Sequence, residues 1–196
     1  LSIDNARFEN FASILQDQMS VIIGSNVAYW RNHEGARIKA KNMTFKKASL
    51  ASSEMLNEGG IETGVFKNDA SSFINRGHML LKRWDQSGAA FKNQFDGEIR
   101  VLELFSAAMD TLDNAGDIHF DAEVLGEIAH ILNSGGLFFN DKTTLQGIDI
   151  RNKKLMRAKA GQKFKWSGRT IENLMDLYLG DVTVRDRFYN AKKGSA

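Results

Sequence analysis

The stretch that decides how this chain is read runs from Asp96 to Gly116: Asp-Gly-Glu-Ile-Arg-Val-Leu-Glu-Leu-Phe-Ser-Ala-Ala-Met-Asp-Thr-Leu-Asp-Asn-Ala-Gly. Leu102, Phe105, Met109 and Leu112 recur at steps of three and four, the spacing that lines one face of an α-helix, and Asn114 to Gly116 supplies a stop. The next segment has the same character: Asp121 is placed to cap a helix with Val124, Ile128 and Ile131 on one side and Asn133 to Gly136 at its end. Toward the N-terminus, Asp4 precedes Phe8, Phe11, Leu15 and Met19 at helical spacing. Toward the C-terminus, a run opens at Thr170 and passes through Ile171, Leu174, Met175 and Tyr178 to Gly180. These four segments predict an α+β fold that is predominantly α-helical.

The β-structure expected beside them is small. Arg37, Lys39 and Lys41 alternate with Ile38 and Ala40, and Lys163 and Lys165 alternate with Phe164 and Trp166, so a period of two places the cations on one face of each strand. Leu137 to Phe139, a turn at Asn140 to Lys142, and Thr144 to Ile150 read as an antiparallel β-hairpin. The 196 residues are expected to form a single globular domain, 1–196, without internal repeats, and the 42% apolar content with 13 Phe suffices for its core.

Cysteine is absent, which excludes disulfides, thiolate metal sites and a cysteine nucleophile. Proline is absent too, so turns rest on the 17 Gly and on Asn, Asp and Ser. No apolar run reaches the ~18–20 residues of a membrane-spanning helix, and the longest, Val21 to Trp30, is broken by Gly24, Ser25 and Asn26. Leu1 in place of Met is expected of a processed or trimmed chain. The composition suits a soluble protein, cytoplasmic or virion-associated under the leading functional reading.

The formal net charge of +2 conceals segregation. Residues 31–50 carry six Lys or Arg against one acid, and residues 141–170 carry nine against two. Residues 101–140 between them hold seven acids and no Lys or Arg. Clustered cations release counterions from a phosphate backbone, and neighbouring rings stack on unpaired bases. The candidate nucleic-acid contacts are therefore Arg31, Arg37, Lys39, Lys41, Lys46 and Lys47, then Arg151, Lys153, Lys154, Arg157, Lys159, Lys163, Lys165, Trp166 and Arg169. The plainer reading is that these are solvated faces, with Phe164 and Trp166 turned into the core. Acidic 101–140 and basic 141–170 surfaces also suit head-to-tail self-assembly.

One short string carries a possible chemistry. Asn75-Arg76-Gly77-His78 is similar to the Asp-Arg-Gly-His motif of the ββα-metal nonspecific nucleases. That resemblance implies His78 as the general base that activates water and Asn93 as a metal ligand. It covers four residues, lacks the leading Asp, and is followed by Met79-Leu80-Leu81 without the family's usual proline. Glu123, Glu127 and His130 would share one helix face, but no matching Glu-x-x-His stands elsewhere to complete a metal site. An EF-hand register with Gly116 sixth puts Thr111, Ala115 and Ala122 at ligand positions, which excludes a regular calcium loop. Phosphate-cradling glycine motifs and a nucleophile elbow are also missing.

The leading expectation is a non-enzymatic protein that binds RNA or DNA, self-assembles, or does both, as a nucleocapsid or viral or phage structural protein would, with no cofactor and no metal. A metal-dependent nuclease or phosphodiesterase built on His78 is the alternative. An effector or inhibitor that binds a host protein is the third.

Overall fold

A computed structural model describes residues 2–4, 7–23, 29–47, 54–69, 72–88 and 90–190. Every element in it is a β-strand, and the twenty strands pair in parallel to form a β-solenoid of about nine turns. The helical expectation is overturned throughout the described residues. Asp96 to Gly116 contains the longest strand, Glu98–Asn114. Its inward residues are Ile99, Val101, Phe105, Ala107, Met109 and Leu112, which alternate except where the strand turns a corner. One corner is an irregularity between Val101 and Leu104 against the strand His78–Gln86. Corners lengthen the inward step from two to three or four, which imitates a helical repeat, and Leu102 lies on the outside.

The other three segments also form strands rather than helices among the described residues. In Glu123–Asn133 the inward step from Val124 to Ile128 passes Gly126, whose φ of 124° favours glycine. In the first segment Phe11 and Leu15 are 70% and 75% exposed rather than parts of a buried stripe. In the last, Ile171 is buried in the strand Phe164–Asn173, whereas Tyr178 is exposed in Asp176–Tyr178.

Each coil carries three paired segments. The first ends at an asparagine and stacks through Arg7–Asn10, Tyr29–Asn32, Glu54–Asn57, Ser72–Asn75 and Ala90–Asn93, continuing in 111–114, 130–133, Asp149–Asn152, 170–173 and 187–190. The second follows the asparagine turn: Glu98 pairs with Asp117, Asp117 with Gly136, Gly136 with Leu155 and Leu155 with Asp176. The third closes the coil, with 104–109 on 123–128, then Thr143–Gln146, 164–167 and 181–184. The expected hairpin is corrected by this register. Gly136–Phe139, Thr143–Gln146 and Asp149–Asn152 exist as strands, but each pairs in parallel with neighbouring coils, not with the next strand of its own.

Two columns run along the interior. One is aromatic: Phe45, Phe66, Phe73, Phe91, Trp84, Phe105, Phe120, Phe139 and Phe164 follow one another at centroid separations of 4.5–5.6 Å. The other is made of carboxamides. The Nδ2 of Asn10 donates to Oδ1 of Asn32, and the relay continues through Asn57, Asn75, Asn93, Asn114, Asn133, Asn152 and Asn173 to Asn190, every bond 2.7–2.9 Å and every bond running the same way. From Asn10 to Asn173 each Nδ2 also donates to a backbone carbonyl, for example Asn133 to Leu155 and Asn114 to Gly136. A buried amide costs free energy unless its donors are bonded, and here both are.

Replacing Asn114 with Ala removes the bond from Asn93 Nδ2 and leaves the buried Oδ1 of Asn133 without its donor, at a cost of about 3 kcal/mol. Asn190→Ala, at the exposed last rung, should cost less than about 1 kcal/mol. Urea unfolding of the two variants checks this, and equal losses would contradict it.

Candidate binding surface

In this fold, residues adjacent on the surface are one coil apart in sequence, and the ladder asparagines are separated by 17 to 25 residues. A contiguous run of about nineteen residues therefore encircles the axis as a belt. The segregated charges are belts of this kind, stacked along the axis, rather than two opposed faces.

The first belt is partly neutralised. Arg31 pairs with Glu58 at 2.6 Å, and its guanidinium is raised above its ordinary range by the Tyr29 hydroxyl and by Glu58. Lys39 pairs with Glu62 at 2.6 Å. Arg37, Lys41 and Lys46 are exposed and have no ion pair among the described residues, and the side chain of Lys47 lies outside them. The alternation expected for Arg37 to Lys41 is present, with Ile38 and Ala40 buried.

The second belt keeps more of its charge. Arg151 pairs with Glu172 at 2.7 Å and Arg169 with Asp186 at 2.8 Å. Lys142 pairs with Glu123 at 2.5 Å, which raises the Lys142 ammonium. Lys153, Lys154, Arg157, Lys159 and Lys163 are exposed without a carboxylate partner among the described residues. Lys165 also points outward, but Trp166 is 2% exposed, so its indole belongs to the core and is not a base-stacking platform.

The outward positions of the second segment form a mixed column in register: Leu80, Arg100, His119, Phe138, Arg157 and Tyr178. The His119 and Phe138 rings stack at 4.4 Å with 10° between their planes. Arg100 Nε lies 2.5 Å from Asp121 Oδ2, and Asn140 donates to Oδ1 of Asp121 at 2.7 Å. Partial burial tends to raise the Asp121 carboxyl, but the Asn140 and Arg100 hydrogen bonds outweigh it and hold the group below its ordinary range. The connection 159–163 lies beside this column at its C-terminal end, and its residues 159–162 border with Arg157, Tyr178 and Gly180 an open cavity of about 710 Å³.

A wider open groove of about 1530 Å³ lies at the other end, between the turns 33–36 and 94–97, each two residues longer than the Asn-x-Gly turns at Glu58-Gly59 and Arg76-Gly77 that floor it. His78 lines this groove, its side chain 75% exposed and its Nδ1 3.1 Å from Glu98 Oε2. Asn93 is a ladder rung, 1% exposed, bonded to Asn75, Asn114 and the carbonyls of Gly97 and Asp117. Its carboxamide is thus committed away from His78. The string Asn75-Arg76-Gly77-His78 is a ladder asparagine and its turn. His130 bonds Asp149 at 2.8 Å, and no group of three or more metal-binding side chains occurs among the described residues.

Compared with protein-family models, curated proteins and solved structures, the chain matches none. Sequence reasoning missed Tyr178, Phe138 and the 159–163 connection as surface features. The signal available was an apolar residue two places before an asparagine, repeated ten times from Phe8-Glu9-Asn10 to Phe188-Tyr189-Asn190.

A lowered carboxyl stabilises the fold above its unfolded value near 3.8, and that contribution is lost as pH falls through the folded value. Asp121→Asn should therefore lower stability by less than about 1 kcal/mol at pH 7, the side chain being partly solvated. The difference from wild type should close below pH 4 in urea titrations, and a difference that grew on acidification would contradict the assignment.

Proposed function

We propose that this chain is a non-enzymatic structural segment, a rigid rod that binds an extended polyanion through the belt 151–169. The observation that supports this most is the group of unpaired outward cations, Lys153, Lys154, Arg157, Lys159 and Lys163, within one coil of a structure that elsewhere neutralises many of its cations across coils, as in Arg31 with Glu58 and Arg100 with Asp121. Unpaired cations cost self-repulsion that a polyanion relieves, and counterions released from it supply the driving force. The buried amide ladder makes the rod stiff, so these cations are held in fixed positions around a single coil, with neighbouring coils about 4.8 Å away along the axis.

A labelled single-stranded 20-mer, tested as RNA and as DNA with magnesium present, should bind about 100-fold more weakly at 200 mM salt than at 50 mM if about five phosphates are neutralised. The strand should remain intact. Lys153→Glu with Lys154→Glu should weaken binding more than tenfold, and Lys67→Glu with Lys92→Glu, an equal change of charge on other coils, should do so far less. Salt-insensitive binding, or equal losses from the two pairs, would contradict the reading, and cleavage would redirect attention to His78.

A further inference from the structure

The connection 159–163 does more than add charge. In neighbouring coils the second and third segments are joined by two or three residues, Asp121-Ala122, Asn140 to Lys142 and Leu179-Gly180, whereas Lys159 to Lys163 spans five. An insertion in a single coil projects from one face without disturbing the stack, and such loops commonly form a solenoid's binding face. This one turns through Gly161 at φ 82° and closes on itself with Gln162 N donating to Lys159 O at 3.1 Å. The amides of Ala160 and Gly161 bond no acceptor among the described residues. Beside this connection the cavity presents Arg157 and Lys159, neither with a carboxylate partner among the described residues, and the ring of Tyr178, 59% exposed. Arg157 sits in register between Phe138 and Tyr178, so its side chain leaves the surface between two aromatic positions.

We infer that this cavity is a subsite for one nucleotide unit of a single strand, the phosphate held by Arg157 and Lys159 and the base resting on Tyr178; the inference rests on the polyanion reading above. Two unpartnered cations select an anion, and the free turn amides add donors for its oxygens. The exposed ring separates a nucleotide from a bare phosphate or sulfate, because a planar base gains stacking that an inorganic ion does not. A cavity of about 710 Å³ accommodates such a ligand.

The test uses the full chain, titrated calorimetrically at low salt with adenosine monophosphate, uridine monophosphate, inorganic phosphate and adenosine, alongside the labelled 20-mer. Both monophosphates should bind at least tenfold more tightly than inorganic phosphate or adenosine. Tyr178→Ala should weaken the monophosphates about tenfold and leave phosphate unchanged, Tyr178→Phe should retain binding, and Arg157→Gln should weaken monophosphates and phosphate together. All three side-chain changes are at the surface, and circular dichroism confirms that the variants are folded. Phosphate binding as tight as nucleotide binding, with Tyr178→Ala silent, overturns the base platform. Binding of the 20-mer that is indifferent to Arg157→Gln and Tyr178→Ala overturns this subsite while leaving the polyanion reading intact, and no binding by either ligand overturns both.

Discussion

The hydrogen bond from one asparagine carboxamide to the next is the constraint on which the rest of the structure depends. A carboxamide has two donors and an acceptor oxygen, and from Asn10 to Asn173 one donor goes to a backbone carbonyl, in the asparagine's own turn as at Asn57 and Asn75 or in the next coil as at Asn32 and Asn114. The second donor and the oxygen then have no good partner except the same group one coil above or below. Repeated through nine bonds, this fixes the register of every coil, since a slip of one residue would bring an outward side chain such as Arg31, Lys92 or Arg151 into the buried column and expose the amide. Aligned amides polarise one another, so the column is expected to strengthen with length. The aromatic column beside it adds apolar burial but does not demand a register, because rings accept several offset geometries.

Once coils are stacked this way, the surface obeys a different geometry from the sequence. A charged run becomes a belt, and a column such as Arg100, His119, Phe138, Arg157 and Tyr178 is assembled from residues about twenty positions apart. Cross-coil pairs including Arg100 with Asp121 and Arg151 with Glu172 follow from the same spacing. The lack of proline has a physical reason here as well. Strands paired on both sides need their N–H groups, and proline would break a ladder in nearly any coil.

Part of this was legible in the residues. The alternation of Arg37 to Lys41 and of Lys163 to Trp166 predicts strands with the observed inward residues, and Asn140 to Lys142 is a connection between strands. The helical reading of Leu102 to Leu112 failed because corners in a coil impose steps of three and four on what is otherwise an alternating pattern. The repeat itself escaped notice because its period varies, from 17 residues between Asn173 and Asn190 to 25 between Asn32 and Asn57, and because the residue two before each asparagine changes among Phe, Trp, Met, Leu and Ile. As for the site, the unpaired cations Lys153 to Lys163 stood out by composition. Tyr178 did not, since only the coil geometry brings it beside Arg157.

Exchange of the asparagine side-chain amides measures the central constraint most directly. In protein labelled with ¹⁵N at asparagine, the Nδ2 protons of Asn32, Asn57, Asn75, Asn93, Asn114, Asn133 and Asn152 should exchange slowly and with a common free energy, that of global unfolding. The Nδ2 protons of Asn42, outside the ladder, should exchange far faster. Rapid exchange of the ladder amides under native conditions, at rates like that of Asn42, would contradict the account.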